Sequence, residues 1–137
     1  MLEVVLFERL QDCFHLLGIR NDIPRLTASL DLCVSSSTSE AFPLIILEAM
    51  ACGVPCVVTD VGDSGEIVGK TGAVVPTKNP EAIANACEKI LLKNQDDYKE
   101  KKILARERII EHFSLDRIVS QYERLYYSVH ETHHSKC

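Results

Sequence analysis

Short, nearly continuous apolar runs, separated by turn-rich or helical stretches, constrain this chain more than any other feature. They are CFHLL at 13–17, LCVSS at 32–36, PCVVT at 55–59 and AVV at 73–75. None shows the strict polar–apolar alternation of a strand with one face in water, so each reads as a strand covered on both faces. Between them lie DIPRLTASL (22–30), a helical turn or two, PLIILEAMAC (43–52), a helix apolar on every side, and the turn-rich DVGDSGE (60–66). Buried strands alternating with helices require a parallel sheet with helices on both faces. The expected fold class is therefore α/β, doubly wound and Rossmann-like.

The remainder is helical. Asn79 can cap a helix whose first position suits Pro80, and Ala82, Ile83, Ala86, Cys87, Ile90 and Leu91 then share one face. A second helix is predicted from about Asp97 to Phe113. Ser114 caps a third, with Leu115, Ile118, Val119, Tyr122, Leu125, Tyr126 and Val129 forming its stripe. The segment KNQDDYKEKK (93–102) is a solvated charge run. The organisation expected is one unit over 1–137, with a Rossmann-like core at 1–92, helices at 93–130 and a tail at 131–137.

Composition narrows the function. A chain of 137 residues, 46% hydrophobic, suits one core. A formal net charge of −5, with scattered Lys and Arg, provides no basic stripe for a phosphate backbone, so no nucleic acid partner is expected. The opening MLEVVLFERL has no basic leader, and no later window approaches a membrane span, so the expected location is cytoplasmic, with membrane association only through a partner or a further domain. The six cysteines form no CxxC pair and mostly lie in apolar segments; reduced, largely buried thiols are expected.

Glu40 and Glu48 bracket the uncharged run AFPLIIL. In an open parallel sheet the ligand crevice lies beyond the carboxyl ends of the strands, where SSSTSEAF leaves one strand and enters the helix at 43–52. The first amides of that helix, around Phe42 to Ile45, lack intrahelical partners and carry the positive end of its dipole, so they suit a diphosphate. Glu48, among Leu44, Ile45, Leu47 and Met50, reads as a buried carboxylate that needs a partner. Sugar hydroxyls would serve, and so would Ser35 to Ser37 or an arginine; spacing alone does not choose between them.

From Phe14 to about Leu92 the sequence resembles the C-terminal, donor-binding domain of the retaining GT-B glycosyltransferases of family 4, the glycosyl transferases group 1. The shared pattern runs through Ser36, Glu40, Glu48, AMACGVP (49–55), TDVG (59–62) and then Gly65, Glu66, Ile67 and Val68. The resemblance implies transfer of a hexosyl unit from a nucleotide-sugar. It gives Glu40 the donor hexose and the catalytic role, Phe42, Pro43 and Leu44 the hexose and diphosphate through their backbone, and Glu48 the ribose. Gly18, Ile19 and Arg20 resemble the segment lining the base, where Arg20 either stacks or is merely solvated. Sugar, base and acceptor are not legible.

The departures are specific. Gly62 is followed by Asp63 where the family has a second glycine, and Ala41 stands where it often has one. The acceptor-binding domain and the first two strands of the donor domain, which carry an Arg and a Lys for the diphosphate, have no counterpart; neither Lys70 nor Lys78 matches that motif. The family's strand order, 3-2-1-4-5-6, makes the four runs here strands 3, 4, 5 and 6. Strand 13–17 must then either re-pair with strand 32–36 or take its neighbours from a second polypeptide, and the exposed sheet edge invites self-association. The chain alone is expected to be inactive.

Two other readings compete. A non-catalytic doubly wound ligand-binding or interaction module of the phospho-receiver kind needs an acidic cluster, whereas Asp60 has only Asp63 nearby. His130, Glu131 and His134 spell HExxH, yet a zinc site would need a third ligand, so a frayed His-rich tail is expected, with no metal and no cofactor beyond the substrate.

Overall fold

The computed structural model describes residues 10 and 12–134, the last four by backbone alone. In chain order the elements are α1 (Ile23–Ala28), β1 (Cys33–Ser35), α2 (Leu44–Ala51), β2 (Cys56–Thr59), α3 (Ser64–Val68), β3 (Ala73–Val75), α4 (Pro80–Leu91), α5 (Gln95–Phe113) and α6 (Leu115–His134). The strands form one parallel sheet in the order β1-β2-β3, with Cys33 opposite Cys56 and Val57 opposite Ala73.

The uninterrupted CVVT becomes the central strand because every one of its residues is buried. Cys56 and Val58 point to one face, where they meet Ile46, Ala49 and Met50 of α2, Ile67 and Val68 of α3, and Ala105 of α5. Val57 points to the other, against Val75 and the Ala86 and Ile90 of α4. The period-two alternation of the strand thus feeds two cores, and the α/β doubly wound class is observed.

Caps fix several helix boundaries. Asn79 accepts from the Ala82 amide at 3.0 Å, as its position predicts. Asn94 accepts from the Asp97 amide at 2.9 Å, which starts α5 at Gln95 rather than near Asp97. α5 then lies across α2 and α3. Its Arg106 donates to the Ala51 carbonyl at 2.6 Å, and its Arg108 donates to the carbonyls of Ile67, at 2.8 Å, and Glu66, supplying donors for the ends of both short helices. The last helix runs past Val129 to His134.

Two expectations need correction. Residues 13–17 do not form a strand; Phe14, Leu16 and Leu17 are exposed, and the run does not re-pair with β1. A strand exists only through its ladder, and among the described residues no strand pairs with this run, whose Cys13 and Phe14 amides donate instead to the Leu10 carbonyl. DVGDSGE is not turn throughout, because α3 begins inside it and buries Ile67 and Val68.

Five described cysteines are free thiols, of which Cys56 is fully buried and Cys13 exposed; Cys137 lies outside the described residues. The Cys56 Sγ donates to the carbonyl of Val54, and its position against its register partner Cys33, together with burial, pushes its thiol above the ordinary range.

Candidate functional site

The loop at 36–43 lies at the carboxyl end of β1 and is pinned to the end of β2. The Thr59 hydroxyl, buried, donates to the Ser37 carbonyl at 2.6 Å, and the Asp63 amide donates to the Ala41 carbonyl at 2.9 Å. Gly62 explains why a glycine ends TDVG. Its φ is +49°, and a Cβ there would overlap the carbonyl oxygens of Glu40 and Ala41. The departure at Asp63 is accommodated, since Asp63 is the residue preceding α3, where its amide donates to Ala41, its carbonyl accepts from the Ile67 amide and its side chain makes no capping bond.

On this platform Glu40 is exposed and accepts from the Ser37 hydroxyl at 3.0 Å. Pro43 is buried in extended conformation at the start of α2, and no side chain caps the helix. Ile46 donates back to the Pro43 carbonyl at 3.2 Å, while the amides of Leu44 and Ile45 stand in the first turn with no capping side chain. Phe42 is anchored from behind, its ring 6.3 Å from that of Phe113 at the end of α5.

Glu48 is not where its neighbours suggested. α2 buries Ile46, Ala49 and Met50 and turns Leu44, Ile45 and Glu48 outward, so the carboxylate is exposed rather than buried. Among the described residues no hydrogen bond or ion pair from Ser35 to Ser37 or from an arginine engages it. It stands beside a cavity of about 290 Å³ between α1 and α2, lined also by Ile23, Pro24, Thr27, Ala51 and Cys52. Those apolar partners carry no sequence signal, because helix-to-helix packing sets them beside Glu48.

The loop at 18–20 leads into α1. Gly18 adopts φ +65°, Ile19 is fully exposed, and Arg20 forks onto Asp22 with contacts of 2.7 and 2.6 Å. The Arg20 guanidinium holds the Asp22 carboxyl below the usual carboxylate range. Arg20 is thus ion-paired as well as solvated, and α1, rather than this loop, is what shares a cavity with Glu48.

One cation reaches the carboxyl end of the sheet unannounced. Lys78, at φ +55°, lines a cavity of about 370 Å³ with Ser36, Thr38, Asn79, Pro80 and Ile83. Loop folding rather than spacing sets it beside the segment that carries Glu40. Among the described residues no three His, Cys, Asp or Glu side chains are placed to hold a metal, and no helix is long and apolar enough to cross a membrane. His130 lies on α6, whereas the side chains of Glu131 and His134 fall outside the described residues.

Comparison with known proteins adds four findings. Residues 2–93 match the family described as Glycosyl transferases group 1. The chain is 37% identical over 131 residues to N-acetyl-alpha-D-glucosaminyl L-malate synthase of Bacillus anthracis, covering 94% of this chain and 34% of that protein. Among solved structures it resembles sucrose-phosphate synthase from Thermosynechococcus elongatus, with TM-score 0.82, 30% identity, and coverage of 95% of this chain and 33% of the other. It also resembles HepE of Anabaena in complex with UDP, with TM-score 0.85, 27% identity, and coverage of 92% and 35%. The chain therefore spans about a third of the length of these relatives.

Proposed function

The chain belongs to the glycosyl transferases group 1 family, and on that premise we propose that it is the nucleotide-sugar-binding part of a family 4 glycosyltransferase that transfers a hexosyl unit with retention. The observation that supports this reading is that the exposed Glu40, on the loop at 36–43, precedes the uncapped first turn of α2, and the exposed Glu48, on α2 itself, follows it. HepE, a relative of the same fold, has been solved with UDP and with UDP-glucose.

In this reading the backbone of Phe42, Pro43 and Leu44 meets the donor hexose and its diphosphate. Transfer breaks the bond between the anomeric carbon and the diphosphate, so negative charge grows on the departing phosphate, where the helix amides oppose it. Glu40 accepts from hexose hydroxyls and is the carboxylate nearest the reacting carbon. Glu48 accepts from the ribose hydroxyls, and the base lies toward the loop of Gly18, Ile19 and Arg20. The substrate is a nucleoside diphosphate sugar, and no metal has a role.

The diphosphate also needs cations, and the Arg and Lys that the family supplies from two further strands have no counterpart in this sequence. Each charge-assisted contact is worth roughly 1.5–3 kcal/mol, so donor affinity of the chain alone falls by several kcal/mol and turnover is lost. A second polypeptide carrying the complementary half restores both. The reading is tested by titrating UDP into the isotopically labelled chain and following its amides. Shifts gathered at 40–45 and around Glu48, with donor hydrolysis appearing only when a relative's N-terminal half is added, are expected. Shifts that avoid this loop would refute the site, and a monomer that turns over UDP-glucose unaided would refute the need for a second half.

A further inference from the structure

We propose that the outer edge of β3 docks an extended, acidic segment of a partner polypeptide, which adds to the sheet as a fourth strand. The proposal is independent of the donor site. β3 is the outermost strand of the order β1-β2-β3. The Val75 carbonyl accepts from the Asp60 amide at 2.8 Å and so faces inward; strand alternation then turns the N–H and C=O of Val74 outward. Val74 is half-exposed.

Beside this edge lies a groove of about 540 Å³. Its floor is the strand itself and one face of α4, where Ala82 and Ala86 leave the space that a larger side chain would fill. From Ala82 to Ile90 the helix advances about 12 Å, and a strand of four residues spans about 13 Å, so groove and strand match in length. An extended peptide in such a groove takes backbone bonds from the edge and turns alternate side chains into the groove, where the lysines stand.

Charge selects the occupant. Lys89, Lys93 and Lys101 line the groove and no acidic residue does, in a chain whose net charge is −5. Lys93 also meets Asp97 at 3.6 Å, whereas among the described residues Lys89 and Lys101 form no ion pair. Lysines that guard an edge usually sit on the edge strand, but here they belong to the flanking helices and linker, and GAVV itself carries no charge, proline or bulge. A second copy joined β3 to β3 would set each lysine set against its own image. A partner with alternating carboxylates satisfies both the edge and the lysines.

The labelled full chain is mixed with a terminally blocked Val-Glu-Val-Glu-Val-Glu peptide or its Lys counterpart, at about 50 and 300 mM salt. The glutamate peptide is expected to bind about tenfold more tightly at low salt, to lose that advantage at high salt and to slow exchange of the Val74 amide. Lys89→Glu combined with Lys101→Glu, both surface changes, should reverse the preference. Equal affinity for the two peptides, protection at Val34 on β1 instead of Val74, an unreversed preference, or no binding at about 1 mM peptide would each overturn the proposal.

Discussion

Two residues in left-handed backbone test the loop geometry on which the site rests. Gly62 has φ +49° and no room for a Cβ, so Gly62→Ala forces the 36–43 loop away from β2. It is expected to destabilise the chain by about 2 kcal/mol or more, measured by urea unfolding. Lys78 adopts φ +55° without being glycine, so Lys78→Gly should leave stability equal or raise it by up to about 1 kcal/mol. It should also remove the cation beside Ser36 and Thr38. The glycine that ends TDVG was legible in the sequence because turn chemistry is local. The exposure of Glu48 was not, for a reason specific to its helix: in LIILEAMA all but one residue is apolar, so periodicity does not identify the stripe that faces the core. Packing against β2 and α5 selects Ile46, Ala49 and Met50, and Glu48 is left outside with the freedom to meet a ligand.

At the scale of elements, legibility follows how much of each element's stability is local. α4 and α5 begin at asparagines whose side chains accept from the third amide on, and Asn79→Ala or Asn94→Ala is expected to cost about 1 kcal/mol, read from thermal or urea unfolding. β2 was legible because an uninterrupted apolar run suits only a strand covered on both faces, and both faces are covered. The run at 13–17 carries a similar pattern and fails, because a strand depends on a neighbour that its own sequence does not encode. α3 was hidden by the opposite effect: Gly62, Asp63 and Gly65 signal a turn, while burial of Ile67 and Val68 against α2 draws the following residues into a helix. The expectation that the HExxH spelling at the end of α6 holds no metal is tested by dialysis after zinc loading, with less than one equivalent retained. Zinc retained at one equivalent through dialysis would contradict that.

At the scale of the whole molecule, the sheet of the described residues ends on one side at β1, where Val34 is half-exposed, and Phe14, Leu16 and Leu17 are exposed as well. Unpaired backbone flanked by apolar side chains draws other chains to it. Concentration-dependent association is expected in sedimentation experiments, and Val34→Lys should suppress it while changing stability by less than about 0.5 kcal/mol. The relatives, about three times as long, place a segment like this one within a larger protein, so donor binding rather than complete catalysis is the property to measure in this chain. The decisive experiment is calorimetric or NMR titration of UDP and UDP-glucose into the wild-type chain and into Glu40→Gln and Glu48→Gln. Glu48→Gln should weaken both ligands alike, by roughly 1–3 kcal/mol, whereas Glu40→Gln should weaken only the sugar-bearing donor. Equal losses for both ligands with Glu40→Gln, or unchanged binding with Glu48→Gln, would contradict the assignment of the two glutamates.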